Sequence, residues 1–587
     1  MPNLIFSGSY SPPAATNVSL NFLAGALPSI MIGAFTTDDI GFSGDVTALG
    51  LGINGFFSTD DVLLVGIAEM RLPAEIIGEF TVDDVSISGG FEQVIPTLTK
   101  KNQDTLLIEI NYVTGNSSGV DYFSNNGYTT TSTDSTDANR HYLDLIFDDP
   151  YIISGFNDPL TVGNLKMRNN GELDSYMTNR SAEGQQISIF CGYSTNQRSE
   201  FKPVFIGLIK SMRFVNDEVT VVITDNKELL NADIQKVLYP ETKDNNFGID
   251  GKPIPLLFGE CFNVEPILVD TNKYEYHWGS VPPDPIIMRD SGVNFSAALT
   301  VDDAGVGNFT VDEEPIGTFT GNLRGYIFEP YSPTLTSVFK DIATTVYAGA
   351  SFDTASFAAF ESRNNPKVGV YLTEKTNAIQ LLDELLACVR ATWFFNAVGD
   401  IEIAQIDPIS QSFGGGIIGG AAPSITIESY FVISITLETD DTYPVCYQIK
   451  MGANRNWTKQ EASSMNSMLS ATTKRKYKND YESWQTLNHP SIQLKYPYAL
   501  LKSIDNSYLT DSTDVRAELT KRMILHERPR YLMKVKCSGY ESLSNSNSIK
   551  LGDTIRVNSK RYGAKNGFVT KYTRHFLSGI YDLEVLV

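Results

Sequence analysis

The segment RHYLDLIFDDPYIISGFNDPLTVGNLKMRNNGELDSYMTNRSAEGQQISIFCG (residues 140–192), continued by FKPVFIGLIKSMRFVNDEVTVVITDNKELLNADIQKVLYP (201–240), alternates apolar and polar residues in short runs broken by Gly, Asn, Asp and Pro. Such alternation suits a pleated strand with one buried face, because successive side chains point to opposite sides of a sheet. The pattern predicts strands at HYLDLIF (141–147), QQISIFCG (185–192) and PVFIGLI (203–209), then a hairpin over SMRFVNDEVTVVITD (211–225) turning at Asn216-Asp217. With a further strand at TLLIEINYV (105–113), residues 96–240 read as one β domain. The stretch 116–139 is dominated by Gly, Asn, Ser and Thr, and reads as an exposed loop or a long hairpin tip.

Upstream, residues 1–95 contain an internal repeat. GAFTTDDI starts at Gly33, GFFSTDDV at Gly55 and GEFTVDDV at Gly78, each after a short apolar run. Each unit reads as a β-hairpin-sized element that cannot bury an apolar face alone and must stack on its neighbours. The paired aspartates Asp38/Asp39, Asp60/Asp61 and Asp83/Asp84 invite a calcium reading. Adjacent strand residues face opposite ways, however, and no interleaved D-x-D-x-D-G loop is present, so turn chemistry is the favoured reading. Related strings at 299–303 and 309–313 read the same way.

Downstream, residues 241–330 carry short strands with Pro and Gly breaks. Residues 331–424 change character. TSVFKDIATTVY (336–347) and TNAIQLLDELLACVRA (376–391) have helical spacing, the second with Ile379, Leu382, Leu386 and Val389 on one face and Thr376 as N-cap. TWFFNAVGDIEIAQID (392–407) reads as strand, turn and strand, so that helices pack on a hairpin in an α+β unit. SFGGGIIGGAAPS (412–424) reads as a linker; no Lys-Ser/Thr follows it to make a phosphate loop. Residues 425–587 alternate again, with strands at 430–438, 445–452, 530–537, 553–558, 566–576 and 580–587 and helices near 458–478 and 512–527. The resulting fold class is α+β, predominantly β, and multidomain, with a smaller helix-on-sheet domain.

A chain of 587 residues exceeds what a single core serves. At 42% hydrophobic and 20% charged residues it has the make-up of a globular protein. MPNLIFSGSY lacks a cationic stretch ahead of an apolar run, and no 18-residue apolar run follows, so the expectation is a chain made in a cytoplasm without a signal peptide or membrane span. Five scattered cysteines (Cys191, Cys261, Cys388, Cys446, Cys537) form no CxxC pair and read as buried or free thiols. The net charge of -23 is unevenly placed: residues 448–587 hold 23 Lys and Arg against 12 Asp and Glu, net +11, leaving -34 on residues 1–447. Such an acidic body repels nucleic acid, whereas the basic end reads either as a mixed solvated face or as a docking surface for an acidic neighbour.

Catalytic motifs do not emerge. His141, His277, His489, His526 and His575 make no HExxH or H-x-H, and none is close in sequence to a cysteine. No G-x-S-x-G elbow, no G-x-G-x-x-G that follows a strand and no Walker motif emerges. Paired carboxylates for glycoside hydrolysis need proximity in space and stay open at this level. Trp278, Trp393, Trp457 and Trp484 could build a sugar platform, but tryptophans beside apolar residues favour core. No catalytic, cofactor-binding or metal residues are assigned.

The ordered set of segments resembles the central hub proteins at the tail tip, or baseplate, of long-tailed bacteriophages. The landmarks are NNGELD (169–174), a strand ending at Gly192, an F-x-G strand (Phe205, Gly207) and a strand ending at Asp225. GKPIPLLFGECFNVEPILVD (251–270), residues 377–407, RNWTKQ (455–460) and the terminal LGDTIRV, NGFVTKY and YDLEVLV then follow in order. The resemblance spans most of 105–587 and leaves out the N-terminal repeats. It implies a non-enzymatic virion protein without cofactors, with tube-like β-barrel or sandwich hub domains at 96–240 and 425–587. A homotrimer would present six such domains to the tail tube, contact distal-tail and other baseplate or fibre proteins and the host envelope, and let DNA pass without specific binding. Assembly would take place in the bacterial cytoplasm. Two rival readings stand beside it: a receptor-binding spike or fibre, suggested by the repeats, and a cell-envelope glycan hydrolase, suggested by the carboxylates and aromatics.

Overall fold

The structure is a computed structural model. It describes the backbone of seven strands within residues 18–88 and, from Asp104 onward, all residues except 135–137, 157–159, 164, 242–246, 283–286, 302–305, 329, 408–422, 424 and 539–548. Most of the Gly-rich stretch 412–424 therefore lies outside the described residues. The chain divides into two compact units, Met1–Asn102 and Gln103–Val587.

In the first unit the repeats stack on one another as expected, through parallel pairing between neighbours and not as hairpins closed within each repeat. Ile30–Thr36, Gly52–Ser58 and Phe80–Thr81 form one sheet, and Val18–Asn21, Asp39–Ser43, Asp61–Val65 and Asp84–Ser88 another. The two strands of a repeat thus belong to different sheets, and each pairs with its counterpart in the next repeat. Gly33 lies opposite Gly55, Phe35 opposite Phe57 and Phe57 opposite Phe80. Asp39, Asp61 and Asp84 share one register position. Parallel stacking lays each residue against its own equivalent, so near-identical repeats satisfy the ladder at every step, whereas a hairpin would pair unlike residues. Asp38, Asp60 and Asp83 lie outside the described residues.

The second unit is built on one long sheet of 16 strands. Its first half contains Asp104–Thr114, Ser117–Ser124, Gln186–Tyr193, Lys202–Val215 and Glu218–Thr224. Ser117–Ser124, part of the expected loop, is instead a strand paired over eight positions with Asp104–Thr114, since Val120 and Tyr122 still alternate within the polar run. The predicted hairpin turns at Asn216, whose φ of 52° suits a tight turn. Lys202–Val215 runs as one 14-residue strand with an irregularity between Ile209 and Ser211 where two strands were expected. Ile108, Ile110, Ile187, Ile189, Phe205, Val219 and Val221 fill its core.

The other half of this sheet comes from the far end of the chain, with Gly563–His575, Ile580–Leu586, Arg530–Ser538 and Val432–Asp440 in that order. Met533, Val535, Cys537, Ile555, Val557, Leu583 and Val585 form its core. The halves join where Tyr151–Gly155 pairs antiparallel with Lys571–His575 over five register positions. Asp149 caps the joint by accepting the Leu577 N–H at 2.7 Å and the Ser578 N–H at 3.1 Å, and Phe576 is buried in the core of the first half. Among the described residues no sheet closes on itself, so the closed-barrel form expected of the hub domains is not found there, while the chain is predominantly β and multidomain as expected.

Between the halves, Ala391–Phe395 and Ile401–Gln405 make the predicted hairpin. Helices Leu335–Val346, Thr354–Arg363 and Ala378–Ala387 and the sheet of Tyr481–Asn488, Cys446–Arg455 and Leu500–Ile504 share a core with it, along with helix Ser512–His526. Asn377, one residue beyond the expected Thr376, caps its helix by accepting from the Ile379 and Gln380 N–H groups. The expected helix near 458–478 shortens to Ala471–Lys478, beginning where the Ser470 hydroxyl accepts the Thr473 N–H.

A buried ion cluster ties this middle region together. Glu518, fully buried, accepts two hydrogen bonds from the Arg390 guanidinium at 2.9 Å each and one from Arg522 at 2.7 Å. Arg522 also donates to the Ala387 and Cys388 carbonyls at the end of helix Ala378–Ala387. Removing one member strands the others without water, so Glu518→Ala is expected to cost about 3–5 kcal/mol in urea unfolding; a loss below about 1 kcal/mol contradicts the role given to the cluster.

His277 is the second buried polar anchor. The Leu257 N–H donates to its Nδ1 at 2.9 Å, which leaves the proton on Nε2 to donate to the Tyr326 carbonyl at 3.0 Å. A Cβ on Gly279, Gly307 or Gly325 would meet the His277 side chain at 2.6–2.8 Å, so these glycines make its room. Burial pushes its pKa down to about 4. The unfolded chain takes up a proton near pH 6.5 that the fold refuses until about pH 4, so the His277 contribution is intact above 6.5 and falls by roughly 3 kcal/mol on acidification through that window. Urea unfolding of wild type and His277→Gln should differ in pH slope by one proton between pH 6.5 and 4; equal slopes contradict this assignment.

Candidate functional site

The candidate site is an extended surface on the second half of the long sheet. Across four strands of the second sheet half, alternation turns Met533, Val535, Leu583 and Val585 inward and places polar residues on the other face. Register aligns them in two rungs. Thr436, Lys534, Glu584 and Lys571 form one, and Ser434, Lys536, Asp582 and Thr573 the other. Together they line a shallow concavity. Lys536 stands 3.8 Å from Asp582 and Lys534 2.7 Å from Glu438, so cations and carboxylates alternate across the face. A face of this kind is hydrated and close to neutral, with lysines already engaged by carboxylates.

Residue pairs that would suggest catalysis serve the fold. The structure brings together Cys446 and His526, distant in sequence, with Sγ 3.8 Å from Nδ1. Yet both Nδ1 and Sγ lie against the Pro444 carbonyl, at 2.6 and 3.3 Å, and burial raises the thiol pKa, the opposite of an activated nucleophile. All five cysteines are buried and free, as expected. Burial raises Asp225 and Asp341 to about 6. Asp225, however, accepts the Lys227 N–H at the start of the turn Asn226–Leu230, and Asp341 accepts the Ile327 N–H. Trp393 is buried and donates to Asp383 at 2.7 Å. Trp457 lies against Tyr371 and Tyr508, Trp484 against Tyr481, and Trp278 is 48% exposed. Each tryptophan with a ring contact therefore packs on its own neighbours.

The sequence landmarks have structural explanations. In NNGELD the Asn169 side-chain oxygen accepts the Gly171 and Leu173 N–H groups while its amide donates to Asp174, folding the turn back on itself. Gly207 leaves room for the Phe205 ring and for the Thr224 carbonyl, which a Cβ would meet at 2.4 and 2.5 Å. Gly192 does the same for Phe201. In RNWTKQ, Asn456 accepts from buried Asn263 at 2.8 Å and donates to the Tyr477 and Asn479 carbonyls, strapping the segment before helix Ala471–Lys478 onto strand Leu256–Val264. Sequence reasoning missed the charged rungs, because register across strands brought together from distant segments is invisible in any one of them.

No protein-family model matches the sequence, and no curated protein matches it. Among solved structures the chain is similar to the tail protein from Neisseria meningitidis MC58, at 9% identity and a TM-score of 0.36 over 82% of this chain and 96% of that one. It is similar to the prophage MuSo2 43 kDa tail protein from Shewanella oneidensis at 9% identity and 0.37, over 81% and 98%. A chain of the native gene transfer agent virion gives 8% and 0.39 over 61% and 90%. These three are tail or virion proteins, and a likeness at this level carries no inference about function.

Proposed function

We propose that this chain is a non-enzymatic structural protein of a phage virion, the hub at the tail tip that caps the tail tube. The reading draws on the ordered resemblance of residues 105–587 to hub proteins. The observation that carries it is the continuous sheet in which strands of 96–240 join strands of 425–587 through Tyr151–Gly155 and Lys571–His575. With two β units joined side by side in each chain, three chains around an axis would present six β units to a six-fold tube. Obligate assemblies of this kind work through large buried interfaces and need no reactive group. The charged rungs suit the wall of a channel, since lysines already met by carboxylates have little left to offer DNA phosphates.

The expected result is a trimer by light scattering of the purified chain, and its incorporation into sedimenting complexes when tail-tube and distal-tail proteins are added. A monomer that ignores both partners contradicts the hub reading.

A further inference from the structure

The net +11 of residues 448–587 finds its sharpest expression in one hairpin. Thr554–Ser559 and Gly563–His575 pair in register as far as Ser559 opposite Gly563. Within 554–566 stand Arg556, Lys560, Arg561 and Lys565, all exposed, with no acidic residue between them. The tip is ordered, because the Ser559 hydroxyl accepts the Arg561 and Tyr562 N–H groups at 3.2 Å each. A counterpart of opposite charge sits in the middle region. Asp312, Glu313 and Glu314 are exposed in succession, and Ile316 beside them is 98% exposed. That loop is ordered too, since the Asp290 carboxylate accepts the Ile316 and Gly317 N–H groups at 2.7 and 2.9 Å.

We propose that the basic hairpin of one copy docks on the acidic loop Asp312–Ile316 of the next, as the head-to-tail contact of the ring. The inference rests on the proposed assembly of several copies. Two different patches meeting in this way make a heterologous interface, the kind that generates rings when the rotation closes. Both partners are held in place before they meet, so little freedom is lost on docking. A protein surface fits better than nucleic acid, because a fully solvated isoleucine gains from burial against the stems of lysine and arginine and gains nothing from a phosphate.

The test uses the full chain. Lys560→Glu with Arg561→Glu should weaken self-association at least about tenfold in 0.1 M salt, and so should Asp312→Lys with Glu313→Lys. Mixing the two variants, which meet as a charge-swapped pair, should restore association, and raising wild type to 1 M salt should weaken it. Circular dichroism checks that each variant is folded. Wild type that assembles while both variants assemble equally well overturns the hairpin contact and leaves the hub reading standing; wild type that stays monomeric overturns both. Loss of binding to a duplex DNA probe in the hairpin variant, with self-association unchanged, overturns the contact in favour of a nucleic-acid role.

Discussion

Everything in the larger unit depends on a single piece of strand pairing, that of Tyr151–Gly155 with Lys571–His575. Asp149 and Leu577, whose hydrogen bond seals this joint, are 428 positions apart in the chain. The entropy lost on closing a loop grows only with the logarithm of its length, each doubling costing about 0.6 kcal/mol, so so distant a closure remains affordable. Against it stand five ladder positions, the Asp149 cap and the burial of Phe576, worth about 1.5–3 kcal/mol by itself. Once the joint forms, the segments between are confined between two β halves. Their helices and hairpins have to build a core across fragments far apart in sequence, which is what Val445, Cys446, Leu519 and Met523 do beside Leu382 and Trp393.

Polar groups inside this architecture hold the backbone. Glu518 with its two arginines, His277 between the Leu257 N–H and the Tyr326 carbonyl, and Asn456 across the strap each meet several partners with one side chain. Burial displaces the pKa of groups such as His277 and Asp225 as strongly as in many active sites. Geometry separates the two cases. His277 meets the Leu257 N–H and the Tyr326 carbonyl, and Asp225 accepts the Lys227 N–H, so each holds a stretch of main chain.

The sequence made the strands visible where alternation ran for several residues, as in Gln186–Tyr193 and Glu218–Thr224, and helices where a 3.6-residue stripe was strong, as in Ala378–Ala387. Helix Thr354–Arg363 escaped because it buries only Phe357 and Phe360 and leaves no stripe to read. The repeats at 33, 55 and 78 were plain, but whether a repeat pairs within itself or with its neighbour depends on partners that local patterning does not name. The same limit hid the joint and the charged rungs. Alternation tells which face a residue occupies, while Lys534 meets Glu584 only because strands from separate segments come into register. Charge was legible as a sum over 448–587, and its concentration in one hairpin emerged only from exposure.

Through this joint the two β halves form one cooperative body, which amide hydrogen exchange along Ile152–Gly155 and Lys571–Arg574 can check. The expected result is protection matching that of core amides such as Ile108 and Val535, with exchange only on global unfolding. Exchange at the joint as fast as in exposed loops, while Ile108 and Val535 stay protected, would contradict it.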